Sequence, residues 1–368
     1  MQNLPIPSAD PMPLPGPIWL LKTLLLLTLY LHLIAMNLLL GGSLAAAFYR
    51  IRRNSEFARQ AARDLGAKLP VIMAYTITLG VAPLLVVQVL YGNFLYTSSI
   101  LIGLPWIGVI ALLIVSYYGF YYVAMHDADR SGTHLVGAIA ALIVVCIGFI
   151  YSNNMTLMLA PERWAELYRR HASGWSLNFG EPTLIPRYLH MLAGAIAVTG
   201  LFLMISGIIR RTSEFGRWLI EQGAALFAGA TIVNYLFGLW LLVSLPPNVR
   251  AILLGGNVLA TALLGVGVVL ALAATVHSIL AGAGRRPILN ACIATATALV
   301  TVALMVVVRD YVRNAYLAPN YQIGQLHVTP QTGIIVLFFT LFIAGLATVY
   351  YMLSKVVAAR PPTVAADQ

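Results

Sequence analysis

The stretch Ile185–Gly207, IPRYLHMLAGAIAVTGLFLMISG, decides how the chain is read. It is an apolar run long enough to cross a membrane, since about twenty helical residues span hydrocarbon about 30 Å thick. His190 lies near its start, and Gly194, four residues on, falls on the same helical face. An imidazole beside a missing side chain, with nothing ionisable deeper in the run, offers a flat macrocycle such as haem an axial nitrogen and room against the backbone. A histidine hydrogen-bonded at the membrane interface accounts for the same residues, and the spacing leaves both readings open.

Outward from this run the chain stays apolar: of its 368 residues 60% are hydrophobic and 9% charged, with a mean hydropathy of +0.86. Such a composition excludes a soluble domain of this length and predicts an all-α, polytopic membrane helical bundle. Runs of sufficient length occur about nine times, near 18–49, 69–95, 104–125, 135–158, 188–209, 218–245, 252–282, 288–309 and 333–354. They predict a single transmembrane domain over 18–356 with an outer loop at 159–187, preceded by an extended arm at 1–17 and followed by a tail at 357–368. The arm holds six prolines and no basic n-region, so it does not read as a cleavable signal. Basic residues gather in alternate loops: Arg50 to Lys68, then Arg210, Arg211 and Arg217, then Arg285 and Arg286, then Lys355. That bias puts the N-terminus outside and the C-terminus in the cytoplasm of a bacterial-type inner membrane. The net charge of +10 is therefore topogenic and gives no reason to expect nucleic acid. Cys146 and Cys292 fall in apolar runs and there is no CxxCH, so the sequence builds neither a disulfide scaffold nor a covalent c-type haem site.

Further candidates lie along the chain. His32, in YLHLIAMNLLLGG, falls near the midplane if the first run is counted from Ile18 and near the outer surface if it is counted back from Tyr49. A bond to another helix and ligation are both open to it. The second run carries Pro70 and Pro83, which kink membrane helices, and Gln88 toward its outer end. HDADRSGTH, residues 126–134, reads as a solvated turn, and Asn153 and Asn154 each need a partner inside an apolar stretch. Pro161 opens a short helix with Glu162 in its first turn and Arg169 and Arg170 in its last, as the helix dipole favours. Its Trp164, Leu167 and Tyr168, with Trp175, are expected to lie on the membrane surface or to form a floor for a partner. Asp310, between Arg309 and Arg313, is expected to be paired or coordinating. No convincing internal repeat stands out, which weighs against a transporter built from inverted halves.

Taken in order, these features resemble the large, haem-carrying subunit of cytochrome bd quinol oxidases over almost the whole chain. YLHLIAMNLLLGG is similar to that family's first-helix stretch, with His32 at its ligand position; LGAKLPVIMAYTITLGVAPLLVVQVLYGNF is similar to its second helix; and PRYLHMLAGAIAVTGLFL is similar to the helix that holds the low-spin b haem, here through His190. Arg250 and the RDYVRNAY segment fall where the family has an arginine and an acidic residue followed by arginine. The resemblance implies haem b on His190 and His32, with Gly194, Gln88, Arg250 and Asp310 around the cofactors and Arg187, Arg250 and Arg313 meeting propionates by charge-assisted bonds. The chain departs from the family where Gln88 replaces a glutamate, where Ile252 stands near the position of a ligating methionine, and where the outer quinol loop shrinks to LPPNVR. No carboxylate remains in the apolar parts of helices two to four, where the family draws protons to its oxygen site, and Gln88 cannot titrate. The reading this leaves is a b-type cytochrome subunit that passes electrons between the quinone pool and an outer-side c-type cytochrome or other extrinsic redox subunit. A haem-poor anchor of a respiratory complex and a divergent bd-type oxygen reductase are the alternatives.

Overall fold

The computed structural model describes residues 12–51, 55–126 and 132–358. The start of the N-terminal arm, the turn residues Asp127, Asp129 and Arg130, and the tail from 359 onward lie outside the described residues. Among those described there are helices and no strands, and nine of the helices are long and apolar enough to cross a membrane. In chain order the helices are α1 (Ile18–Ile51), α2 (Glu56–Leu101), α3 (Gly103–Met125), α4 (Thr133–Met158), the short α5 (Trp164–Arg170), α6 (Leu184–Ile209), α7 (Glu214–Ser244), the short α8 (Pro247–Ala251), α9 (Val258–Gly282), α10 (Pro287–Leu317) and α11 (Thr332–Ala358). The chain is a multi-pass membrane protein.

Two helices run beyond the apolar stretches that announce them. α2 starts at Glu56, where the Ser55 side chain caps it by accepting from the Ala58 N–H. Its first three turns, EFARQAARDLGAK, are good helix formers but charged, so they carry helix propensity without hydropathy. α2 therefore brings Glu56 and Asp64 into the bundle, and Asp64 pairs with Arg210 at the start of the turn into α7. Backbone angles inside α2 leave the helical region at Tyr91 (φ −138°, ψ 30°). α10 likewise carries RDYVRNAY as helix out to Leu317. Between α8 and α9 a π-helical turn, Ile252–Gly256, ends on Gly255 at φ 108°, a left-handed conformation that glycine adopts without a Cβ penalty. Asn257 then caps α9 by accepting from the Ala260 N–H.

The bundle is a tandem repeat. α1 ends at Ile51 and α6 at Ile209; α2 starts at Glu56 and α7 at Glu214; each second position lies 158 residues after the first. At the same offset α9 follows α3 and α10 follows α4, with C-terminal ends that agree within one residue. The caps repeat too, Ser55 on Ala58 and Ser213 on Gly216. The sequence carries the same signal in IRRxSEFxR, at Ile51–Arg59 and at Ile209–Arg217, and in YLHxxA, at Tyr30–Ala35 and Tyr188–Ala193. This corrects the expectation that the chain has no internal repeat. Because four spans separate counterparts, the halves are parallel rather than inverted, as in repeats related by an axis along the membrane normal. Counterparts meet each other, as happens at a two-fold axis. The rings of Phe57 and Phe215 lie 5.8 Å apart, and a Cβ on Gly41 would overlap both its counterpart Thr199 and the Ala195 carbonyl.

The described residues form two compact units, the larger holding the chain from Thr23 to Gln322 and with it both halves of the repeat. The smaller joins the segment that ends at Lys22 to the segment that starts at Ile323. Within it Leu14 pairs with the 327–329 strand-like stretch, donating to the His327 carbonyl at 2.8 Å and accepting from the Thr329 N–H at 3.0 Å.

Candidate functional site

The repeat places one histidine in each half, in the same setting. In the first, His32 Nδ1 donates to the Thr76 carbonyl of α2 at 3.1 Å, and the ring lies against Gly80, where a Cβ would come within 2.8 Å of Cε1. In the second, His190 Nδ1 donates to the Asn234 carbonyl of α7 at 3.3 Å, and the ring lies against Gly238, where a Cβ would sit 3.3 Å from Cε1. Thr76 and Asn234, and Gly80 and Gly238, are counterparts in the repeat. In each case the glycine sits one turn beyond the accepting carbonyl, so the imidazole packs flat on the neighbouring helix. The two histidines therefore occupy equivalent positions in the two halves of the repeat.

This geometry fixes the chemistry of the rings. A carbonyl can only accept, so Nδ1 carries the proton and Nε2 keeps its lone pair. A neutral imidazole whose Nδ1–H is held by a carbonyl is the form that ligates a metal, with the second bond fixing ring orientation. Beside His190, a Cβ added at Gly194 would sit 3.7 Å from Asn234 Nδ2, in ordinary contact, so no side chain on its own helix crowds the ring and α7 lies directly opposite. Among the described residues no three His, Cys, Asp or Glu side chains come together, so the arrangement suits a cofactor that brings its own equatorial ligands. These residues fit a haem.

At the end of the bundle where α6 starts and α10 finishes, charged side chains collect. Asp310 and Arg313 of α10 are buried, 8% and 7% exposed, and pair at 3.7 Å. Asn314 Nδ2 donates to Asp310 Oδ2 at 3.1 Å, and Tyr91 Oη of α2 donates to Asn314 Oδ1 at 2.9 Å. The Arg313 guanidinium also stacks over the Tyr91 ring at 4.9 Å, which explains what the irregular turn at Tyr91 presents to α10. Arg187, one turn before His190, has Nε and Nη2 buried without hydrogen-bond partners, and Arg313 Nη1 and the Tyr316 hydroxyl are in the same condition. Just outside the spans, Tyr321 donates to the Leu90 carbonyl, and burial pushes its phenol up to about 12.

The structure thus brings Arg187, Asp310 and Arg313 to one end of the bundle near His190 and leaves other expected residues apart from them. Arg250 turns its Nη1 to the Val243 carbonyl at 3.0 Å, on an exposed turn. Gln88 is half-buried in α2, with no hydrogen bond to a described residue. The loop after α4 differs from the surface helix expected of it. Trp164 and Leu167 are buried, and Trp164 Nε1 donates to the Leu157 carbonyl at 2.9 Å, whereas Tyr168 and Trp175 are exposed. Asn153 and Asn154 find their partners in the Asn178 N–H at 2.9 Å and the Ser99 hydroxyl at 3.0 Å. Thr76, Gly80, Asn234, Gly238 and Tyr91 went unrecognised in the sequence, although the 158-residue offset between the two YLHxxA stretches picks out the first four as pairs.

The fold is that of a helical membrane protein with the architecture of a bd oxidase subunit. The particular likeness is to a chain of the bd oxidase from Geobacillus thermodenitrificans, with a TM-score of 0.71 and 14% identity over 95% of this chain and 100% of that one. No protein family and no curated protein matches the chain by sequence.

Proposed function

We propose that the chain is the membrane b-type cytochrome subunit of a respiratory assembly, passing electrons between the quinone pool and a redox partner, a c-type cytochrome or other extrinsic subunit, on its outer face. The observation that carries this reading is the repeated histidine device, His32 on Thr76 and Gly80 and His190 on Asn234 and Gly238. A side chain that merely satisfies itself at an interface has no reason to recur, with its tautomer fixed and Nε2 left free, at the same position of two repeats. His32 and His190 would hold haem through their free ring nitrogens, and the group, when bound, would supply one-electron chemistry. The carbonyls of Thr76 and Asn234 orient the rings and raise the basicity of the ligating nitrogens. Arg187 and Arg313 provide buried donors suited to propionates. The N-terminus and the start of α6 face outward, the C-terminus lies in the cytoplasm, and lipid covers the exposed apolar faces.

Electron transfer is favoured over oxygen reduction by the distribution of carboxylates in α2 to α4. α3 and α4 contain no Asp or Glu, and those of α2, Glu56 and Asp64, lie at the end opposite the arginines and pair with Arg59, Arg63 and Arg210. A pyridine haemochrome assay on the purified chain tests the reading. We expect b-type haem bound non-covalently, and a chain purified with its native assembly but free of haem would leave a membrane anchor in its place.

A further inference from the structure

The two halves of the repeat share the setting of the histidine and differ in a group of arginines. The counterparts of Arg187, Arg309 and Arg313 in the first half are Leu29, Tyr151 and Met155, so the arginines occur once while the histidines occur twice. Arg309 and Arg313 are four residues apart on one face of α10, and Arg187 approaches from α6. Arg309 makes no hydrogen bond and no ion pair with a described residue, and the charges that act on it are Arg187 and Arg313. It acts in turn on His32, while Arg187 acts on His190. The three guanidinium groups therefore lie within electrostatic range of the two histidines, Arg309 toward His32 and Arg187 toward His190.

The nearby carboxylates do not balance them. Asp310 is held by Arg313 and Asn314. Glu181, which faces Arg187, is already bonded by the Thr183 hydroxyl at 2.8 Å and lies 4.0 Å from Arg163. What remains is a positive surplus in which Arg187 Nε and Nη2 are buried without hydrogen-bond partners and Arg313 Nη1 has only the 3.7 Å pair with Asp310, an arrangement that is unfavourable in a membrane interior without an anion.

We propose that Arg187, Arg309 and Arg313 form one anion site shared by the two histidine positions, taking a carboxylate from the ligand at each, with Arg309 as the bridging group. This rests on the haem reading above, the carboxylates then being propionates. A free oxyanion such as phosphate offers the same chemistry, and the experiment separates the two sources.

The test uses the full chain purified with its native assembly. His32→Ala and His190→Ala each leave one histidine position, and Arg309→Met is added in both backgrounds, with haem per chain read from the haemochrome. We expect Arg309→Met to lower haem content at least about two-fold in both, and Arg309→Lys, which keeps the charge, to restore most of it. Loss in one background only would assign Arg309 to a single site and overturn the sharing; no loss in either would overturn the site itself. Stability of the haem-free chain separates binding from a structural role. Removing an unpaired buried charge should leave the thermal midpoint of Arg309→Met equal to or above that of the unsubstituted chain. A lower midpoint would mark Arg309 as a packing residue and count against the proposal. Should the native assembly carry no haem, the haem reading and the sharing fall together. A phosphate-dependent rise in midpoint, absent from Arg309→Met, would then assign the arginines to a free anion.

Discussion

At the residue scale the two glycines under the histidines are not equivalent, and their difference is measurable. A methyl group at Gly80 would sit 2.8 Å from His32 Cε1 and 3.0 Å from Nδ1, closer than real Cβ atoms approach, so the ring must move and its bond to Thr76 is lost. At Gly238 the methyl would sit 3.3 Å from His190 Cε1, a contact that a shift of a few tenths of an ångström relieves. Gly80→Ala is therefore expected to abolish haem binding at His32, and Gly238→Ala to leave the His190 site largely filled. Reduced-minus-oxidised spectra of the two variants provide the measurement. Equal losses would mean that ring packing against the neighbouring helix does not set ligation.

At the element scale, what the sequence revealed follows from how strongly each segment depends on hydropathy. The nine spans were legible because lipid demands long apolar runs, and the ends of α3, α4, α6 and α7 fall where those runs stop. The start of α2 and the end of α10 were not, because capping and helix propensity extend them through charged residues that hydropathy scores as loop. The histidines were legible as isolated ionisable groups in apolar runs. Their supports were not, since Thr76, Gly80, Asn234 and Gly238 are ordinary helix residues until the neighbouring helix is in place. The loop after α4 is half legible: Pro161 and the flanking charges announce its short helix, but nothing in the sequence distinguishes a face buried in the protein from one on the membrane surface or one that floors a partner. α5 is fastened by Trp164, which packs against Phe94 with ring centroids 5.9 Å apart and bonds the Leu157 carbonyl. Trp164→Ala removes both, at a cost of about 3 kcal/mol. It should lower the thermal midpoint, while Tyr168→Ala, on the exposed face, should leave it unchanged. A silent Trp164→Ala would return α5 to the membrane surface.

At the scale of the whole molecule, a two-fold bundle has been made one-sided. Both halves keep the histidine, its carbonyl and its glycine, but Arg187, Arg309, Asp310 and Arg313 belong to the second half, where the first half has Leu29, Tyr151, Ser152 and Met155. The arginines that distinguish the second half thus lie at the end where α6 starts, and α3 and α4 have no titratable carboxylate to carry protons from the other end. Reducing oxygen to water consumes protons at the metal, and hydrocarbon does not supply them without titratable groups or water chains. An electron can cross a protein without such a path. Given reduced quinol, the purified chain is therefore expected to show haem reduction without sustained oxygen uptake, and the intact assembly to pass the electron on to its outer partner. An oxygen electrode and a spectrophotometer run on the same sample separate these outcomes. Haem reduction accompanied by rapid, cyanide-resistant oxygen consumption by this chain alone would show that protons reach the site without carboxylates, and the oxidase reading would replace the one proposed.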